Sequence, residues 1–174
     1  ARTAADRHRA ACTTMSDSLA TRTERLLGPQ GALSLVLAGY EPRPQQLDMA
    51  ALVARALENG ERAVIEAATG TGKTMAYLIP AILSGKRTVV STATKTLQEQ
   101  ILTKDIPLLK SVVARPFSAV LLKGRQNYLC LWNYEAFRQE PRFKRREDAH
   151  YWPAIERWAD RTRHGDRGEI DALP

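Results

Sequence analysis

The residues best suited to chemistry are Glu66-Ala67-Ala68-Thr69-Gly70-Thr71-Gly72-Lys73-Thr74. Two glycines one residue apart let a backbone curl so that its N–H groups point inward as an anion-binding nest. A lysine and then a hydroxyl at the start of a helix complete what a nucleoside triphosphate requires. The ammonium reaches the β- and γ-phosphates, the hydroxyl holds Mg²⁺, and the positive end of the helix dipole faces the charge. Ala68, Thr69, Gly70, Thr71, Gly72, Lys73 and Thr74 are therefore the candidate phosphate-binding set. Lys73 and Thr74 are the candidate catalytic pair, and Thr74 is also a candidate metal ligand. The usual pattern opens on glycine where this chain has Ala67, so the loop is a variant with Gly-Lys-Thr intact. A dinucleotide-binding G-x-G-x-x-G does not fit, because Met75 takes the third glycine position. The plain alternative is a strand-to-helix turn with a surface lysine. It leaves the joint register of glycines, lysine and threonine without a reason.

Such a loop needs a strand before it and a helix after it. Ala63-Val64-Ile65 reads as the strand and Met75 to Leu83 as the helix. Two further β-branched or apolar runs, Arg87 to Ala93 and Ser118 to Leu122, read as strands. Strands alternating with helices predict an α/β fold with a parallel sheet. Upstream, Ser16 can cap a helix over about 17–27 that stops at Gly28-Pro29. Pro44 suits the first turn of a helix that runs to Asn59-Gly60. Arg43 and Gln46 stand at that helix's start. A glutamine amide offers a donor and an acceptor together, which suits an adenine edge, but a polar helix start needs no such role. Thr92 lies at the end of the second strand and Gln98 and Gln100 follow it, where hydroxyls and amides suit a nucleic-acid phosphate or simply a cap, with Thr94 or Thr96 as the capping residue. Cys130 reads either as a small buried apolar residue or as a metal ligand.

The bulk composition narrows the class. The chain has 174 residues, 26 basic and 19 acidic, for a net charge of +7. That balance suits a polyanionic partner or a solvated basic surface equally. No apolar run approaches the roughly 20 residues of a membrane span. Two cysteines, Cys12 and Cys130, do not make a disulfide framework, so a reducing compartment, the cytoplasm, is expected.

Taken in order, four motifs resemble the amino-terminal part of DinG/XPD-type helicases, the iron–sulfur-containing, ATP-dependent DNA helicases of superfamily 2. They are Tyr40-x-Pro-Arg43-x-x-Gln46, Glu66 to Thr74 with Tyr77-Leu78-Ile79-Pro80, Ser91-Thr92-Ala93 with Leu97-Gln98-x-Gln100, and Lys123-Gly124-Arg125-x-Asn127-Tyr128-x-Cys130. Trp158-Ala-x-x-Thr162-x-x-Gly165-Asp166-x-x-Glu169 resembles a segment of the iron–sulfur insertion of that family. The resemblance implies a P-loop, RecA-like parallel sheet with flanking helices. Arg43 and Gln46 would read adenine, and Lys73 and Thr74 would hold phosphate and Mg²⁺. Thr92, Gln98 and Gln100 would lie beside single-stranded DNA, and Cys130 would be the first of four thiolate ligands of a [4Fe–4S] cluster. Ala68 stands where the loop of that family often has glycine.

The organisation expected is an upstream or disordered stretch over 1–15, a partial RecA-like domain over 16–128, and the start of a helical iron–sulfur insertion over 129–174. Met15 would be a natural start. No cysteine follows Cys130 and no Asp-Glu-x-His occurs, which truncation would explain. The expected function is an ATP-dependent, 5′-to-3′ DNA helicase, monomeric, with ATP and single-stranded DNA as partners and no membrane. A P-loop nucleotide-binding or regulatory nucleic-acid-binding module without unwinding activity is the alternative.

Overall fold

Helix starts and stops follow the local chemistry of the chain. The computed structural model describes residues 17–170, so Ser16 and the expectations for residues 1–15 lie outside the described residues. Helix α1, Leu19–Leu27, is capped by Ser18, whose hydroxyl accepts from Thr21 N at 3.1 Å. The short α2, Ala32–Val36, follows Gly31. Helix α3, Pro44–Asn59, has proline in its first turn and ends on Gly60 at φ 70°, a left-handed cap that costs glycine little. Helix α4, Lys73–Ser84, starts directly from the glycine-rich loop and holds Pro80 inside it. Helix α5, Lys95–Gln100, is capped by Thr94, which accepts from Leu97 N at 3.3 Å; of the two candidate threonines, Thr94 is the cap. A π-helical turn, Ile101–Asp105, leads into α6, Ile106–Val112.

These elements belong to the first of two compact units, which among the described residues spans 17–120. Its core is formed by Leu27, Leu33, Ala50, Ala76, Ile79 and Leu109, all buried. Helices α1, α3 and α4 pack against one another around it. The apolar residues of α4 are therefore used to fix the end of the glycine-rich loop to α3.

The three runs expected as strands form no ladder among the described residues. Residues 63–65, 87–93 and 118–122 have no strand assignment, and the only bridge among the described residues is Tyr128 with Asp166. Val64, Val89 and Val120 are 103%, 90% and 91% exposed. The physical reason is that β-propensity describes fit to a pleated, half-buried surface, and a strand needs a neighbour for its backbone groups. The parallel sheet is thus not formed among these residues, and the described architecture is helical.

The second unit, residues 121–170 among those described, carries a 3₁₀ turn at Arg125–Asn127, then α7, Leu131–Gln139. A second 3₁₀ turn, Arg146–Tyr151, runs into α8, Trp152–Ala159. A last 3₁₀ turn spans Arg167–Glu169. Its apolar centre is aromatic: the Trp152 ring lies 4.8 Å from Phe137 and 5.7 Å from Tyr134, within the range of favourable ring pairs. No helix among the described residues is long and apolar enough to cross a membrane.

Candidate functional site

Gly70 and Gly72 adopt φ 79° and 77°. Left-handed backbone at both positions is what turns successive N–H groups to one side. Gly72 is also the N-cap of α4, so Lys73 and Thr74 occupy its first turn. The Lys73 ammonium donates to the carbonyls of Ala67 at 3.0 Å and Ala68 at 2.6 Å, bridging the loop. Thr71 Oγ1 donates to the Ala68 carbonyl at 3.0 Å. Ala68 thus takes part through its backbone, and Thr69 stands exposed at the rim. Thr74 is half-buried.

Helix α3 grips this loop from its own start. The Arg43 guanidinium donates to the Gly70 carbonyl. Gln46, buried, donates from Nε2 to the Gly72 carbonyl at 3.0 Å. Its Oε1 lies 3.0 Å from the Tyr40 hydroxyl, which is also 2.8 Å from the Leu27 carbonyl. Burial pushes the Tyr40 phenol above its ordinary pKa, so the hydroxyl keeps its proton and shares it between these two acceptors. A primary amide has two donor hydrogens and two acceptor sites. Gln46 therefore retains one donor and one acceptor after both protein contacts. Sequence reasoning gives Tyr40 no role of its own; its place three residues before Arg43 is the available signal.

The approach between α3 and the loop is tight. A Cβ on Gly72 would meet Gln46 Nε2 at 2.1 Å. Gly72→Ala is therefore expected to suffer both left-handed strain and displacement of Gln46, costing about 1–3 kcal/mol. A lower melting temperature together with weaker binding of a fluorescent ATP analogue is the expected pair of readings. A variant matching wild type in both would contradict this reading of the loop.

The proposed nucleic-acid residues are less convergent. Thr92 Oγ1 donates to the Thr94 carbonyl at 3.2 Å, closing the turn before α5. Gln98 is half-buried and Gln100 exposed. Two positions apart on a helix they point roughly 200° from each other and do not share a face. Cys130 is an exposed free thiol at the N-cap of α7. It borders a cavity of about 380 Å³ with Tyr134, Phe137, Trp152, Ile155 and Trp158.

Residues 45–127 match the DEAD/DEAH box helicase family. The chain is similar to the ATP-dependent DNA helicase YoaA of Haemophilus influenzae, 50% identical over 101 residues, 58% of this chain and 16% of that protein. It is also similar to the ATP-dependent helicase DinG of Mycobacterium tuberculosis strain H37Rv, 44% identical over 126 residues, 67% of this chain and 18% of that protein. Residues 45–127 are thus a DEAD/DEAH box helicase segment of the DinG type. The protein named 3′-5′ exonuclease DinG of Bacillus subtilis is 39% identical over 153 residues, 83% of this chain and 16% of that protein. The chain thus spans less than a fifth of the length of these relatives. A segment of this family implies a P-loop fold, and the loop from Gly70 to Thr74 lies inside the matched stretch.

Proposed function

We propose that this chain supplies the nucleotide-gripping part of an ATP-dependent DNA helicase. The observation that carries the reading is the loop itself: left-handed Gly70 and Gly72 deliver Lys73 and Thr74 to the first turn of α4. On binding ATP, Lys73 exchanges the Ala67 and Ala68 carbonyls for β- and γ-phosphate oxygens, a charge-assisted contact stronger than those it gives up. The nest amides and the helix start take the remaining phosphate charge. Arg43 and Gln46 join the adenine side to the loop, Gln46 using its remaining donor and acceptor.

Mg²⁺ suits this site. No group of three or more His, Cys, Asp or Glu placed to hold a metal occurs among the described residues. Mg²⁺ in nucleotide sites needs few protein ligands, because phosphates and waters fill most of its sphere. Thr74 would be its ligand from the loop, and the ion would neutralise charge between the phosphates.

In this reading residues 63–65, 87–93 and 118–122, which form no ladder among the described residues, pair into the parallel sheet of a RecA-like domain in the full-length protein. Residues 16–128 are part of that domain, and residues 129–174 begin an iron–sulfur insertion. Thr92, Gln98 and Gln100 lie near the DNA path, with Gln100 the freer contact. Cys130 suits a [4Fe–4S] cluster as one ligand, being an exposed thiol beside an open, aromatic-lined cavity. Four thiolates are needed, so the others come from outside this sequence. The cluster supplies a rigid cross-link where it is bound. The protein works as a monomer in the cytoplasm.

The test is strand displacement by the full-length protein on tailed duplexes with ATP. Unwinding of the 5′-tailed duplex and not the 3′-tailed one is expected. Because a water-positioning carboxylate and a charge on the γ-phosphate are required, residues 1–174 alone are expected to unwind neither. ATP binding by the full-length protein with no unwinding of either duplex would instead favour a regulatory nucleotide-binding module.

A further inference from the structure

Within residues 121–170 two distant segments close on each other through a buried ion pair. Lys123 Nζ lies 2.7 Å from Asp166 Oδ2, with side chains only 5% and 17% exposed. Each partner is held by its own turn. Lys123 N donates to the Tyr128 hydroxyl at 2.8 Å, and buried Asn127 donates from Nδ2 to the Gly124 carbonyl at 3.0 Å. Asp166 caps the last 3₁₀ turn, its Oδ1 accepting from Gly168 N at 2.9 Å. Both carboxylate oxygens are thereby used. Beside the pair, Tyr128 and Asp166 form an antiparallel bridge, and Leu129 N donates to the Gly165 carbonyl at 2.7 Å. Glu169 closes the far side, its Oε2 accepting from Thr162 Oγ1 at 2.6 Å and Trp158 Nε1 at 3.1 Å.

Cys130 is the next residue after this paired stretch. A buried ion pair contributes little net stability against an apolar pair, but an arrangement that separates the two leaves a buried charge uncompensated and is strongly disfavoured. The Tyr128–Asp166 bridge and the Leu129–Gly165 bond are the last backbone contacts before Cys130, so a shift in them would turn the Cys130 side chain. In the observed register it borders the aromatic cavity.

We propose that Lys123 and Asp166 are positioning residues that fix the register of the Leu129–Gly165 contact and so aim the Cys130 thiol into that cavity. The proposal rests on the reading of Cys130 as a cluster ligand only for its consequence in the loaded protein; the register claim concerns this chain's own residues.

The experiment uses the full-length protein, purified without oxygen, with Asp166→Asn and Gly168→Ala. The asparagine keeps the cap to Gly168 N but removes the negative charge that faces Lys123. The alanine is milder: its Cβ would lie 3.2 Å from both Asp166 Oδ1 and Lys123 Nζ, pressing on the pair without removing a charge. Hydrogen exchange at the Leu129 amide is expected to quicken about tenfold in Asp166→Asn, as in a local opening, and less in Gly168→Ala. Amides of α8 should keep their wild-type rates. Loss of cluster colour in air should quicken about tenfold in Asp166→Asn, the scale of an outer-shell change at a metal site. If Asp166→Asn does not fold, Gly168→Ala carries the test on the same two readings. Wild-type Leu129 exchange in the folded variants would overturn the proposal, and so would a uniform rise across residues 121–170, which would mean general destabilisation. A colourless, iron-free wild type would sink the cluster reading alone; the register claim would then be decided by Leu129 exchange.

Discussion

Lys73→Ala in the full-length protein is expected to weaken ATP binding by about 1.5–3 kcal/mol, roughly ten- to a hundredfold, and to abolish hydrolysis. The affinity loss is the value of a hydrogen bond to a charged group. The larger effect on turnover arises because negative charge on the transferred phosphoryl is stabilised chiefly by fixed cations and oriented dipoles. Lys73 is well placed for this. Its ammonium sits within the loop, bonded to Ala67 and Ala68 carbonyls rather than spread into solvent. Alanine also removes that bridge, so part of the effect would come through the loop. Lys73→Met also loses the bridge but keeps the apolar stem, so its difference from alanine reports the packing of the stem and not the charge. If both variants hydrolyse ATP at the wild-type rate, the assignment of the phosphate site is wrong.

Cys130→Ser in the full-length protein, prepared without oxygen, should remove the broad visible absorbance of an iron–sulfur cluster and most of the bound iron. A serine is nearly isosteric, so a cysteine that only packed would tolerate it. Cys130 is exposed at the N-cap of α7, so it is not a core residue whose replacement leaves a cavity. Metal binding that ties distant segments together also contributes folding energy. The variant is therefore expected to become more sensitive to protease in residues 121–170 while its nucleotide affinity stays unchanged. A brown Cys130→Ser protein with full iron content would show that the thiol is not a ligand.

Features decided within a few residues are legible in the sequence. Pro44 at the start of α3 and Gly60 at its end follow from fixed φ and from tolerance of left-handed backbone. The phosphate loop is legible for the same reason, because its geometry resides in Gly70, Gly72 and the helix start. The sheet is not. Val64, Val89 and Val120 have the right composition for strands, but ladder hydrogen bonds depend on which segments lie alongside, and among the described residues none does. Arg43 and Gln46 stand out as a motif close to the loop, yet nothing in their spacing reveals their bonds to the Gly70 and Gly72 carbonyls. The pairing of Lys123 with Asp166 is equally hidden, since nothing local distinguishes a buried lysine from an exposed one.

The most direct test of the central claim is ATP hydrolysis by the full-length protein with and without single-stranded DNA. A nucleotide site that drives a DNA motor predicts slow hydrolysis alone and a steep rise as the DNA is added. A rate that does not change with single-stranded DNA would contradict it.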